Sequence, residues 1–440
     1  MEKQAISSYD EAVEYIFNVP RFTKKNTMAD TKAFLEKLGN PDLGLRIIHV
    51  AGTNGKGSVC AYMRSVLEAA GKKVAVFTSP HLVDVRERFM IDGEMISKEA
   101  FYEAFQVIYN LLNWEELEEG KGYHPTFFEY MFFIAMLVFK EAAPDYCILE
   151  TGLGGRLDAT NAVSKKELAV ITRISLEHTE YLGDTIALIA GEKAGIMKEN
   201  TPVVFADTEE ETTAVFLEKA KELSCLCFPV SKYHYTLLNF KNKTIDFSYI
   251  SRYDYNVTVR LNTLAKYQVE NCALALRAIE VLDKDREISP EMLAKGVKQT
   301  FWPGRMEEVL PDIFVDGAHN ADGVRAFLET VSEDGFEGKR SLMFSVVSDK
   351  DYAQMLRNIA ESGLFDKVYL AHMGNYRATA LEEMKRNLPE AYPGEVYLYE
   401  TVRDAFDAVR RDKQEEERVY IVGSLYLVGE IKEYVNHDKF

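Results

Sequence analysis

Cysteine is scarce in this chain, long apolar runs are missing and positive charge is in deficit. The five cysteines, Cys60, Cys147, Cys225, Cys227 and Cys272, are odd in number and sit mostly within apolar segments. No pair has metal-binding spacing, so neither a disulfide framework nor a zinc site is expected. Cys225 and Cys227 read as two residues on one face of a strand. The longest apolar run, Met131 to Phe139, stops at Lys140, far short of a membrane span. No N-terminal apolar segment resembles a signal peptide, and a cytoplasmic location is the expectation. With 52 Lys and Arg against 70 Asp and Glu, the formal net charge is −18. That balance opposes general nucleic-acid or anionic-membrane binding, so an anionic ligand has to be held by a local concentration of positive groups. Internal repeats and low-complexity tracts are also lacking.

What the chain does have is one glycine-rich turn of unusual composition. Arg46 to Ser58 reads Arg-Ile-Ile-His-Val-Ala-Gly-Thr-Asn-Gly-Lys-Gly-Ser. An apolar strand there runs into a loop that ends in a lysine and a hydroxyl, which is how proteins hold nucleotide phosphates. Gly52, Gly55 and Gly57 let the backbone curl so that successive N–H groups face one concavity, and a helix over 59–70 follows with its N-terminus toward it. Thr53, Asn54, Gly55, Lys56, Gly57 and Ser58 are the candidate nucleotide contacts. Lys56 offers a charge to the β- and γ-phosphates, and Ser58 a hydroxyl to Mg²⁺. The spacing departs from the common form: Val50 stands where a first glycine is usual, and Gly57 separates the lysine from the serine.

At 440 residues the chain is long enough for two or three domains with substantial cores. Helical periodicity occupies 8–39, with a polar middle over 21–30 that reads as a substrate-facing loop. A second strand over 73–77 ends in Ser79-Pro-His-Leu82, and a helix over 98–112 and an acidic exposed segment over 115–122 follow. A long apolar helix spans 126–140. A strand over 145–150 then delivers Glu150 into the turn Thr151-Gly-Leu-Gly-Gly-Arg-Leu-Asp-Ala-Thr-Asn161. A carboxylate at a strand end facing a phosphate loop suits a metal ion. The next strand, 168–172, precedes His178, and a helix over 185–198 carries Glu192 and Lys193. This alternation implies an α/β fold with a doubly wound, mainly parallel sheet. Short tyrosine-rich segments over 233–260 read as antiparallel strands at the edge of the same domain. Helices over 264–282 and 290–298 come next. Trp302-Pro-Gly-Arg305 marks the domain boundary, dividing 1–300 from 301–440. Beyond it α/β alternation restarts, with strands near Ile313, Leu342, Val368, Val396 and Val419, as in a smaller Rossmann-like domain.

With these residues assembled, the chain resembles the folylpolyglutamate synthase and dihydrofolate synthase family, relatives of the Mur ligases. The similarity covers nearly the whole length. It rests on Ala51-Gly-Thr-Asn-Gly-Lys-Gly-Ser58, Ser79-Pro-His-Leu82, Glu150 through Asn161, Glu192-Lys-Ala-Gly-Ile196, Pro303-Gly-Arg305, Asp316-Gly-Ala-His-Asn320, Asp349-Lys-Asp351 and Gly423-Ser-Leu425. The resemblance implies ATP-dependent ligation of L-glutamate onto dihydropteroate and onto folate tails through an acyl phosphate, in a monomer without nucleic-acid or membrane partners. It implies one Mg²⁺ held through Ser79 and Glu150, a second through His178, and a carbamylated Lys193; a need for K⁺ stays open. Asn271, Arg305 and Asp316 match ATP-contacting positions, and His319 stands beside them. Closure of two lobes around the ligands is expected. Thr126, Phe127, Phe128, Glu129 and Asp158 match a segment contacting the pteroate part. The catalytic set it implies is Lys56, Lys193, His178 and His319.

Taken without the family, several of these residues have plainer readings. Lys193 could be a solvated helix lysine paired with its neighbouring glutamate, His178 a structural histidine, and Phe127 and Phe128 core packing. Three positions depart from the family pattern. Arg173 and Glu177 replace a small or amide residue and an aspartate, and Tyr267 replaces a histidine before Gln268. Arg173 adds charge near the second metal position and could pair with Glu177. Two other readings stay open: tail extension alone, and a nucleotide-dependent binding protein that does not ligate.

Overall fold

The computed structural model describes residues 3–19, 26–253, 256–374, 377–389 and 392–437. Of the polar stretch expected to face substrate, 21–25 lie outside the described residues. Contacts divide the chain into two compact units, the first built from 1–234, 250–257 and 271–299 and the second from 235–249, 258–270 and 300–440.

The first unit is organised on eight strands: β1 (Ile47–Ala51), β2 (Val74–Phe77), β3 (Phe89–Ile91), β4 (Glu94–Met95), β5 (Tyr146–Glu150), β6 (Leu168–Ile171), β7 (Val203–Ala206) and β8 (Cys227–Val230). Their order is β4-β3-β2-β5-β1-β6-β7-β8. Every pairing from β2 to β8 is parallel, while β3 runs antiparallel to β2. Strands β1, β2, β5, β6 and β7 are buried along their whole length, the signature of a sheet covered on both faces. The α/β class expected from the sequence is what forms. The antiparallel edge, however, is β3 and β4: β3 returns antiparallel alongside β2, and Asp92 and Gly93, both at positive φ, turn the chain from β3 into β4.

The helix Phe127–Ala142 buries almost its entire circumference, including Phe132, Phe133 and Phe139. Full burial of one such side chain is worth about 1.5–3 kcal/mol. Helices Tyr9–Asn18, Met28–Lys37 and Lys98–Asn110 join that helix in one core with Ile47, Phe77, Phe89 and Leu149 of the sheet. The acidic segment after them includes a short helix, Trp114–Glu118, capped by Asn113. The helix expected over 185–198 ends at Ala194, where a side chain on Gly195 would lie 2.4 Å from Arg156 Cβ. Strand β8 begins at Cys227 itself, so Cys225 precedes it rather than sharing its face. All five cysteines are free thiols.

The second unit holds a six-stranded sheet of β12 (Glu307–Leu310), β13 (Ile313–Asp316), β14 (Lys339–Phe344), β15 (Lys367–Ala371), β16 (Glu395–Tyr399) and β17 (Glu417–Val422). The order is β12-β13-β17-β14-β15-β16, parallel except at β12. The tyrosine-rich segments form a separate three-stranded sheet of β9 (Tyr235–Lys241), β10 (Thr244–Ile250) and β11 (Asn256–Leu261). Most of it clusters with the second unit, not at the edge of the first, because Phe240 packs on that unit's core. Leu264 and Ala265 are buried in the same core, and the helix after them starts at Gln268, later than its periodicity suggests. Among the described residues no helix is long and apolar enough to cross a membrane.

Gly296, on the helix Pro290–Gln299, gives a test of this packing. A Cβ there would lie 2.5 Å from Val66 Cα and 2.8 Å from Ser65 O, both backbone atoms of the helix that follows the phosphate loop. Alanine's helix propensity favours Gly296→Ala by about 1 kcal/mol, but overpacking against backbone costs about 1–3 kcal/mol. A net loss is expected, read as a lower thermal midpoint; a raised midpoint would contradict the close approach.

Candidate active site

The phosphate loop leaves β1 where that strand lies between β5 and β6, at the carboxyl edge of the sheet. Ligands of doubly wound sheets bind at such edges. Gly52 takes φ +150° and passes so close to Thr172 that a Cβ would lie 1.8 Å from Thr172 Oγ1. Gly55 takes φ +90° and sits against Asn271, whose Oδ1 would be 2.2 Å from a Cβ. The helix begins at Lys56, three residues earlier than its side-chain pattern suggests, with Gly55 as its N-cap and no side chain capping it. The first N–H groups of a helix have no carbonyl of their own helix to meet, so this end is suited to an anion. Asn271 is thus brought to the loop across more than two hundred residues.

Two lysines converge on a single carbonyl. Lys193 Nζ donates to Gly52 O at 2.7 Å, and Lys56 Nζ donates to the same oxygen at 3.1 Å and to Thr53 O at 3.1 Å. Lys193 is only 4% exposed. Burial, followed by the charge of Lys56, lowers its amine from 10.5 to about 7, with Glu177 and Asp158 opposing. The plain reading of Lys193 as a solvated partner of Glu192 therefore fails. Glu192 bonds Arg156 instead, at 2.8 Å.

Glu150 ends β5 beside Val50, and its Oε2 accepts from the Ser79 amide at 3.1 Å. Its carboxylate and the Lys56 ammonium act in opposite directions on the buried Cys60 thiol, which burial pushes up. That places both charges around the first turn of the loop's helix. Ser58 is buried in the same turn. On the other flank, His178 takes a left-handed φ of 51° and starts the short helix Thr179–Leu182. Its Nε2 lies 3.9 Å from Glu177 Oε1. Among the described residues no three His, Cys, Asp or Glu side chains gather as a self-sufficient metal cage. Mg²⁺ does not need one, since it is usually held by one or two carboxylates together with phosphate oxygens and water. The donor set of Ser58, Ser79 and Glu150 fits that pattern.

Thr126 and Glu129 form a capping box at the start of the helix Phe127–Ala142. Glu129 is buried and accepts from Thr126 N at 2.8 Å, Asn26 Nδ2 at 2.7 Å, Thr31 Oγ1 at 2.8 Å and Tyr123 OH at 3.1 Å. Asp158 likewise accepts from the Gly152 and Leu153 amides at 2.9 Å and from Thr160 N at 3.0 Å, while burial raises its carboxyl. Both carboxylates shape backbone. Phe127 is in the core, whereas Phe128 is half-buried, with its ring against Gly152 at the base of the glycine-rich turn.

In the second unit, Asp316 ends β13. Its Oδ2 accepts from Tyr267 OH at 2.5 Å and from Met306 N at 2.9 Å, and its Oδ1 from Ala318 N at 2.9 Å. Burial raises this carboxyl and the Arg305 charge opposes the shift. Arg305 reaches Gly317, where a Cβ would lie 1.9 Å from Nη1. His319 Nδ1 lies 2.8 Å from Gly317 O. Arg305, Asp316 and His319 therefore share one turn.

Sequence reading missed Thr172 and Ser175, which bond directly to the phosphate loop. A polar residue closing an apolar strand was their only signal. It also missed the buried pair His49 Nε2 and Thr160 Oγ1, 2.8 Å apart beneath the glycine-rich turn.

Comparison with known proteins gives this arrangement its context. The Mur ligase middle domain matches residues 50–279, and the Mur ligase, glutamate ligase domain matches 304–425. The dihydrofolate synthase/folylpolyglutamate synthase of Bacillus subtilis is 33% identical, covering 97% of this chain and 99% of the relative. The folylpolyglutamate synthase of Lacticaseibacillus casei is 31% identical, covering 97% and 98%. Among solved structures, Escherichia coli FolC in complex with DHPP and ADP superposes with a TM-score of 0.85 at 28% identity over all of both chains. Mycobacterium tuberculosis folylpolyglutamate synthase complexed with ADP gives 0.87 at 26% identity, covering 97% and 98%. The chain belongs to the folylpolyglutamate synthase and dihydrofolate synthase family of the Mur ligase superfamily, a family of ATP-dependent folate glutamate ligases.

Proposed function

We propose that this chain is bifunctional, joining L-glutamate to dihydropteroate and extending the glutamate tail of folates, in each case through an acyl phosphate, and that it works as a monomer. A carboxylate resists an attacking amine until one oxygen becomes a leaving group, and phosphorylation by ATP provides that. The observation that carries the reading is the pair of lysines on Gly52 O beside the Glu150 carboxylate. Lys56 supports the terminal phosphates, and the amides at the start of its helix fix their position. Ser58, Ser79 and Glu150 would hold one Mg²⁺, and His178 with Lys193 a second. The ions supply charge neutralisation during phosphoryl transfer. Gly55, Gly57 and Asn271 complete the nucleotide contacts in the first unit, while Thr53 and Asn54, whose amides are turned into Arg173 O, hold the loop in shape. Arg305, Asp316 and His319 are assigned to ligand contacts in the second, on the strength of their shared turn. Thr126, Phe127, Phe128, Glu129 and Asp158 shape the wall proposed for the pterin acid, with the half-buried Phe128 the member best placed to touch it.

Lys193 in this reading is a carbamate. An amine must be neutral to add CO₂, and a buried amine lowered to about 7 is substantially neutral at physiological pH. Carbamylation also replaces a positive charge beside Lys56 with a negative one, so repulsion becomes attraction.

Three measurements test the proposal. Glutamate incorporation with dihydropteroate and tetrahydrofolate in parallel should show conjugates with both. A product from tetrahydrofolate alone would reduce the function to tail extension, and none from either would leave a binding protein. Glu150→Gln should fold normally and lose about 100-fold or more in kcat/KM; unchanged turnover would contradict its role. With ¹³C-bicarbonate, a carbamate resonance absent from Lys193→Arg should grow as pH rises through about 7, because the neutral amine accumulates in that direction, and fade below it. A resonance identical in both proteins would refute the assignment.

A further inference from the structure

Beyond the ends of β1 and β6 the two chain segments remain joined, by backbone and by side chains. Thr172 N donates to Ala51 O at 2.8 Å, the last regular rung. After it, Arg173 O accepts from both Thr53 N at 2.9 Å and Asn54 N at 3.3 Å. Thr172 Oγ1 donates to Asn54 O at 2.7 Å. Thr53 Oγ1 accepts from Ser175 N at 3.2 Å and donates to Ser175 O at 3.2 Å, and Asn54 Nδ2 donates to Ser175 Oγ at 3.2 Å. Thr53, Thr172 and Ser175 are all buried.

This arrangement sorts the loop amides into two sets. Those of Thr53 and Asn54 point away from the concavity, into Arg173 O, so the anion-facing set starts at the helix N-terminus. The Asn54 carbonyl is pinned the same way by the Thr172 hydroxyl. Two residues after Ser175 the same segment reaches Glu177 and His178, and Glu177 acts on the Lys193 amine. We propose that Thr172 and Ser175 are positioning residues that latch the phosphate loop to the Glu177–His178 segment, fixing the loop conformation that binds nucleotide phosphates. The proposal rests on the ligase reading above. It assigns hydroxyl groups that touch neither nucleotide nor acid a specific effect on ATP, and none on glutamate or the pterin acid.

The test compares wild type with Thr172→Val, which keeps the shape and removes the hydroxyl, Thr172→Ser, which restores it, and Ser175→Ala. Thr172→Val should raise KM for ATP about tenfold and shrink the thermal stabilisation given by ATP, while KM for glutamate and for the folate substrate stay within about twofold. Thr172→Ser should return KM for ATP to within about threefold of wild type, and Ser175→Ala should shift it in the same direction as Thr172→Val. Should Thr172→Val fail to fold, Ser175→Ala decides alone. A wild-type KM for ATP in the variants would overturn the latch. So would a fall in thermal midpoint and kcat with every KM unchanged, which would make the bonds merely structural. If wild type shows no stabilisation by ATP, the ligase reading itself fails, independently of the latch.

Discussion

The carbonyl oxygen of Gly52 is the point on which the first unit's chemistry depends. It accepts from two lysines that reach it from different elements, one at the start of the loop's own helix and one more than a hundred residues later. Burial penalises an ammonium at Lys193 and the neighbouring Lys56 charge adds to the cost, which together lower the Lys193 amine to about 7. The strand order makes this possible, since β1 lies between β5, which delivers Glu150, and β6, which delivers the segment ending in His178.

Most of the architecture was legible because it follows from periodicity and punctuation. The largely apolar runs of β1, β5 and β6 announce buried parallel strands, and the glycines of the loop announce a tight turn before a helix. What stayed hidden depends on contacts between distant residues. The tyrosine-rich strands alternate as an edge should, yet local pattern does not say which core their apolar face will meet, and Phe240 meets the second. The helix beginning at Gln268 carries apolar residues upstream that belong to a different packing partner.

The candidate site divides along a similar line. Residues proposed for roles that depend on local context, such as Lys56 and Glu150, stand out from neighbouring sequence alone. The burial of Lys193 does not, because a Glu-Lys pair on a helix looks solvated until the third dimension assigns the glutamate to Arg156. Glu129 and Asp158 show the converse. Each looks like a free carboxylate in sequence, yet several donors surround it, so its charge organises a helix start or a turn rather than facing outward. A carboxylate's use is set by how many of its lone pairs the fold has already occupied.

The phenol of Tyr267 gives its hydrogen to Asp316, a place where an imidazole could have made the same contact. A phenol has one hydrogen to give and no second nitrogen with which to exchange donor and acceptor roles. Acidification therefore acts on this contact through its acceptor, since burial raises the Asp316 carboxyl and its protonation would replace a charge-assisted bond with a neutral one. In the second unit, then, the turn holding Arg305 and His319 keeps its shape through three donors on one carboxylate, those of Tyr267, Met306 and Ala318, so its geometry is tied to the charge of a single buried side chain.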